Sequence, residues 1–113
     1  MNKWTVLRAR LDPVIGSEQA KTRPVIVVSE TATNKLFPVV TVLPLTSRKA
    51  NAKLYSNEAL LPKGSCGLEN ESIALAYQIR TLDKQRLSHV YGELKDEHIK
   101  DAITKAMRRH LGI

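Results

Sequence analysis

The chain has 113 residues, enough for a single domain spanning 1–113 with one modest core and little more. Apolar side chains make up 42% of it and aromatic ones only 4%, so the core is expected to be built from Val, Ile, Leu and Ala, while the lone Cys66 excludes a disulfide framework and a cysteine-based metal site. Its 18 Lys+Arg against 11 Asp+Glu leave a net +7, which attracts polyanions whatever the fold but also serves solubility by itself.

Trp4 to Leu11 alternates, with Thr5, Leu7, Ala9 and Leu11 on one face and Trp4, Val6, Arg8 and Arg10 on the other. That pattern predicts a strand with one buried side. Asp12-Pro13 ends it, and Pro13 to Thr22 is a polar loop holding Gly16. Val25 to Val28 is apolar on both faces, as expected of a central strand. Ser29 to Pro38 reads as a long connection with room for a helical turn. Val39 to Leu43 is a further buried strand, stopped by Pro44, and a basic segment carrying Arg48, Lys49 and Lys53 runs on to Asn57. Pro62 to Gly67 is a turn; Ser72 to Ile79 and Leu87 to Tyr91 are the remaining predicted strands.

Asp96 to Leu111 carries the clearest helical signal. Ile99, Ala102, Ile103, Ala106, Met107 and Leu111 form an apolar stripe at helical spacing. Acids at its start, Arg108, Arg109 and His110 at its end, and Gly112 just beyond complement the helix dipole and supply a cap. Short strands with Pro and Gly punctuation and one terminal helix predict a mainly β (α+β) fold, a small curled antiparallel sheet. No apolar run approaches the ~18 residues of a membrane span, and the first residues do not form a secretory signal. A reduced cytoplasm fits best.

The stretch Gly16 to Ser29, GSEQAKTRPVIVVS, sets a polar loop directly against an apolar strand. Pro24 restricts Arg23 to extended backbone, so the guanidinium is presented from a strand mouth. With Asp12-Pro13 before it and Pro44 to Ser47 (PLTS) after it, this block resembles the MazF/PemK family of toxin endoribonucleases. Tyr77-Gln78, the IRTLDKQRL run from Ile79 to Leu87, and the Gly92 to Leu94 turn extend the match over most of the chain. The resemblance implies an SH3-like barrel with the C-terminal helix packed on its sheet. It also implies a homodimer that cuts single-stranded RNA at short motifs, without a cofactor, and that is silenced by an acidic antitoxin occupying its RNA groove.

Metal-free RNA cleavage requires a 2′-hydroxyl to lose its proton, a 5′ oxygen to gain one, and fixed donors for the phosphorane oxygens. Arg23 suits the last task because its planar fork stays cationic, which also makes it a poor base. Thr46 can donate to a phosphate oxygen but hardly ionises. Glu18 is chemically the best proton acceptor nearby. The resemblance carries the recurrent catalytic pair to Arg23 and Thr46 and, from some members, a role to Glu18. Substrate contacts are assigned to Lys21, Thr22, Ser47, Arg48, Tyr77, Gln78 and Arg80. Taken singly, Arg23 reads equally as a surface cation, Thr46 as a turn cap and Glu18 as a solvated carboxylate; their order along the chain lifts the catalytic reading.

One departure matters. The family commonly has an acid before the glutamine at Gln78, and here the residue is Tyr77, so an acid's role there does not transfer. His89, His98 and His110 do not form an acid/base pair by position, and no His, Asp or Glu spacing suits a metal. Two rivals stand beside the nuclease: a nucleic-acid-binding barrel that does not cleave, and a poison of the gyrase-binding type that acts by protein contact.

Overall fold

The computed structural model describes residues 1–113. Seven strands, β1 (Thr5–Arg10), β2 (Thr22–Val27), β3 (Val39–Ser47), β4 (Glu58–Leu61), β5 (Ser72–Leu75), β6 (Arg80–Asp83) and β7 (Leu87–Glu93), accompany helices α1 (Thr31–Leu36) and α2 (Glu97–Leu111). All pairs are antiparallel, in the order β4-β5-β3-β2-β1-β7, with β6 branching off β3. This is the expected curled sheet with a terminal helix.

The expected single core is divided in two by the sheet. Val25 and Val27 of β2 face Leu7, Ala9, Leu11, Val40, Val42 and Leu82 on one side. Ile26 and Val28 join Val6, Leu43, Leu45, Leu61 and Leu94 on the other. Strand side chains alternate between faces, so an unbroken Val-Ile-Val-Val run feeds both cores. β1 does the same at Val6 and Leu7, both fully buried, which corrects the expectation of one buried side. Helix α2 covers the second core with Ile103 and Ala106. Burying a side chain the size of Ile103 contributes about 2 kcal/mol. The helix starts where Asp96 Oδ1 accepts from the amides of His98 (2.9 Å) and Ile99 (3.3 Å), and stops at Gly112, whose φ of 71° only glycine adopts readily.

β3 does not stop at Pro44; it runs straight through to Ser47. On its outer side β3 pairs with β6 through Val42 and with β5 from Leu45, so Pro44 lies in the gap where the partner changes. A missing N–H is tolerated in such a gap. The strand predicted over Ser72 to Ile79 stops at Leu75, because a 3₁₀ turn at Ala76–Gln78 follows, and β6 begins only beyond the predicted range. Between the first and last thirds of the sheet the chain closes by backbone contact rather than by a ladder. A Cβ on Gly67 would sit 2.5 Å from the Tyr91 carbonyl oxygen, and one on Gly92 would sit 3.0 Å from that of Cys66.

Candidate active site

Arg23 follows the loop at the start of β2, half-buried, and its Nε donates to the Ala20 carbonyl at 2.9 Å. That bond holds the stem and leaves the two terminal nitrogens without a protein partner. Thr46 lies near the end of β3, opposite Ile73 of β5, and its hydroxyl is likewise unpartnered. The β2–β3 ladder pairs Val27 with Val42, Ile26 with Leu43 and Val25 with Pro44. Carrying that register two residues further sets Arg23 across from Thr46, on the sheet face of Val25 and Val27. The cation and the alcohol therefore come from adjacent strands at one sheet end.

The loop before Arg23 is held mostly by side chains from the β5–β6 region. Gln78 bridges it twice: its Oε1 accepts from the Gln19 amide at 3.3 Å, and its Nε2 donates to the Ser17 carbonyl at 3.1 Å. Arg80 donates to the Leu11 carbonyl at 3.2 Å. Leu11 N–H in turn meets the Lys21 carbonyl at 2.8 Å, closing the neck of the loop. Arg86 donates to the carbonyls of Arg10 (3.1 Å) and Asp12 (2.6 Å). Charge-assisted bonds of this kind are the stronger class. Sequence reading gave Arg86 no role, and no local signal could have done so, since its partners lie at the opposite end of the chain.

Glu18 turns back on its own loop, its Oε1 accepting from the Ile15 amide at 2.6 Å. It nevertheless lines a cleft of about 410 Å³ together with Ser17, Tyr77, Gln78, Ile79 and Arg80. Four of the predicted residues, Glu18, Tyr77, Gln78 and Arg80, thus share one wall. Tyr77 is exposed at 41%, and its hydroxyl is pushed above its ordinary pKa by burial and then by the Glu58 carboxylate and Tyr55. It can donate a hydrogen bond and cannot act as a base near neutrality. Glu58, unmarked in the sequence, is the carboxylate that does stand beside this position.

The remaining predicted contacts are distributed differently. Lys21 and Thr22 are exposed at the loop's return, with Lys21 in the left-handed region at φ 66°. Ser47 is exposed but alternates away from Thr46, to the other face of the sheet. Arg48 is occupied: Nε and Nη2 donate to the Ala52 carbonyl at 3.2 and 2.8 Å, and Nη1 lies 3.5 Å from Glu71. His98 and His110 are exposed on α2. No group of three or more His, Cys, Asp or Glu side chains gathers closely enough to hold a metal ion.

A family model described as the PemK-like, MazF-like toxin of type II toxin–antitoxin systems matches residues 2–111. The chain belongs to the PemK/MazF toxin family. Among its relatives, endoribonuclease EndoA of Bacillus subtilis (strain 168) is 37% identical over 113 residues, covering 100% of this chain and 96% of the relative. Among solved structures, MazF of Deinococcus radiodurans superimposes with a TM-score of 0.83 at 26% identity, covering 100% of this chain and 97% of that one. An endoribonuclease in complex with its cognate antitoxin from a mycobacterial species gives 0.80 at 21%, covering 100% and 96%, and so shares the fold.

Proposed function

We propose that this toxin is a metal-independent endoribonuclease acting on single-stranded RNA by attack of a ribose 2′-hydroxyl on the adjacent phosphorus. The observation that supports the reading is the β2–β3 register, which, continued two residues past its last pair Val25–Pro44, brings an unpartnered guanidinium, Arg23, opposite an unpartnered hydroxyl, Thr46. Arg23 neutralises charge developing on the phosphorane oxygens. Thr46 donates to one of them. Glu18, released from the Ile15 amide when RNA enters the cleft, takes the 2′ proton; the P–O5′ bond breaks, and the departing 5′ oxygen takes a proton from water, leaving a 2′,3′-cyclic phosphate and a 5′-hydroxyl. Lys21 and Thr22 meet the backbone, Tyr77 offers a ring and a donor to a splayed base, and Arg80 flanks the path, while Ser47 can meet RNA only from the opposite sheet face. Arg48 and Gln78, engaged as they are, hold loops rather than RNA.

All 113 residues act as one unit, a homodimer in the cytoplasm, where messenger RNA is the available single strand. No helix of the chain is long and apolar enough to cross a membrane. An acidic antitoxin protein is the neutralising partner: the family works in such pairs, the mycobacterial neighbour is described with one, and the net +7 favours it. The relatives' names support ribonuclease activity over the gyrase-type alternative and the non-cleaving barrel.

The test is end mapping of a long RNA incubated with the protein in EDTA. New 5′-hydroxyl ends with 2′,3′-cyclic phosphates upstream are expected. New 5′-phosphate ends, or an absolute need for Mg²⁺, would replace the mechanism.

A further inference from the structure

A cleft of about 440 Å³ lies on the sheet face away from Thr46 and takes no part in the chemistry above. One wall is Arg8 of β1 with His89 and Tyr91 of β7; the other carries Ser47, Ser72 and Asn70. Arg8 makes no ion pair; its Nε and Nη2 both donate to the Tyr91 hydroxyl, each at 3.2 Å, with the guanidinium carbon 5.8 Å from the ring centroid. The His89 ring meets Tyr91 edge-on at 4.9 Å, and His89 itself is exposed. Nη1 of Arg8 stays free, so a cation is held in place by an aromatic group and aimed at solvent. Ser47 and Ser72 face each other across β3 and β5; Ser72 donates to the Asn70 carbonyl at 3.1 Å, keeping its lone pairs available.

A fixed arginine beside the exposed His89 ring, the half-buried Tyr91 ring and the exposed Ser47 hydroxyl is the equipment of a single-strand nucleotide site: charge for one phosphate, a ring face for one base. Glu69, also on the cleft wall, disfavours a second phosphate and offers an acceptor to an exocyclic amine. The position is as telling as the chemistry. Thr46 and Ser47 are consecutive, as are Arg23 and Pro24, and consecutive strand residues point to opposite faces. Pro24 and Ser47 line this cleft while Arg23 and Thr46 belong to the proposed cleavage centre. The two sites lie back to back across the thickness of one sheet.

We infer that the Arg8–His89–Tyr91 cleft is a subsite for one nucleotide of the RNA flanking the cut, reached by substrate bending over the ends of β2 and β3. It rests on the ribonuclease reading and adds to it a preference for long RNA. The test compares two RNAs carrying one mapped cut site, one trimmed to the motif and one with flanks of about ten nucleotides on each side, within the range a single-strand site covers. For Arg8→Gln, KM for the flanked RNA should rise about tenfold and the slope of log affinity against log salt should fall by about 0.7, the share of one phosphate. The trimmed RNA should show neither change. His89→Ala, on an exposed side chain, should raise KM for the flanked RNA about fivefold by loss of stacking, and serves if the Arg8 variant folds poorly. Equal shifts for both RNAs, or none for either, would overturn the subsite while leaving cleavage intact. Failure of the wild-type protein to cut either RNA would instead bring down the ribonuclease reading, and the subsite with it.

Discussion

Two loops flank the candidate site, and they are built on opposite plans. The one spanning 11–21 is fastened by Gln78, Arg80 and Arg86, which lie at β6 and the 3₁₀ turns on either side of it. Its own cation, Lys21, is left over. The one spanning 48–57 is fastened by its own arginine, Arg48, with help from Glu71. A positive charge beside a functional loop can therefore be a ligand for substrate or a stitch in the loop, and only the tertiary structure separates the two. Outside fastening also makes the first loop's shape depend on a second part of the fold, which suits a loop that carries Glu18 and leads into Arg23.

Substitutions at these loops can break or sharpen that contrast. Arg23→Ala should lower kcat by on the order of 10²-fold or more with the circular dichroism spectrum unchanged; near-normal cleavage by the folded variant would remove Arg23 from the mechanism. Arg86→Ala, which touches no substrate in this scheme, should lower kcat/KM about tenfold through misplacement of the loop. Faster amide exchange at Leu11 and Gln19 should accompany it, and unchanged exchange would show that the outside fastening is dispensable. Lys21→Gln should raise KM about threefold and reduce the salt slope by about 0.7, as one phosphate contact requires. Arg48→Gln should leave the salt slope alone and cost about 1 kcal/mol of stability in urea. A salt effect there equal to that at Lys21 would erase the distinction between the loops. Smallest of all, Tyr77→Phe should leave the alkaline limb of the rate profile in place, because burial, Glu58 and Tyr55 keep the phenol protonated above its ordinary range.

Much of this architecture was written in local pattern. β1 and α2 were legible because alternation or helical periodicity ran for six or more residues, β2 because its Val25–Val28 run is unbroken and apolar, and Asp96 and Gly112 punctuated the helix as their chemistry suggests. β4 and β6, four residues each, are too short to show a period. Pro44 misled for a related reason: its tolerance depends on β3 changing partners, a fact of pairing and not of sequence. At the site, the family-type pattern led to Arg23, Thr46 and the loop that precedes Arg23. What it could not reveal was occupancy, that Arg48 and Gln78 already have partners and that Arg86, on no list of candidates, clamps two carbonyls.

The backbone contact of Gly67 with Tyr91 and of Gly92 with Cys66 carries a consequence of its own. It is a seam with no side chain on either lip at those points, so one added methyl group on either glycine wedges it open. Tyr91 and His89 lie along that seam, which ties the rims of the rear cleft to the sealing of the whole wall. In a saturation library selected for loss of toxicity, alanine at Gly67 or Gly92 should therefore turn up among survivors, far from the scissile bond and for reasons of carpentry alone.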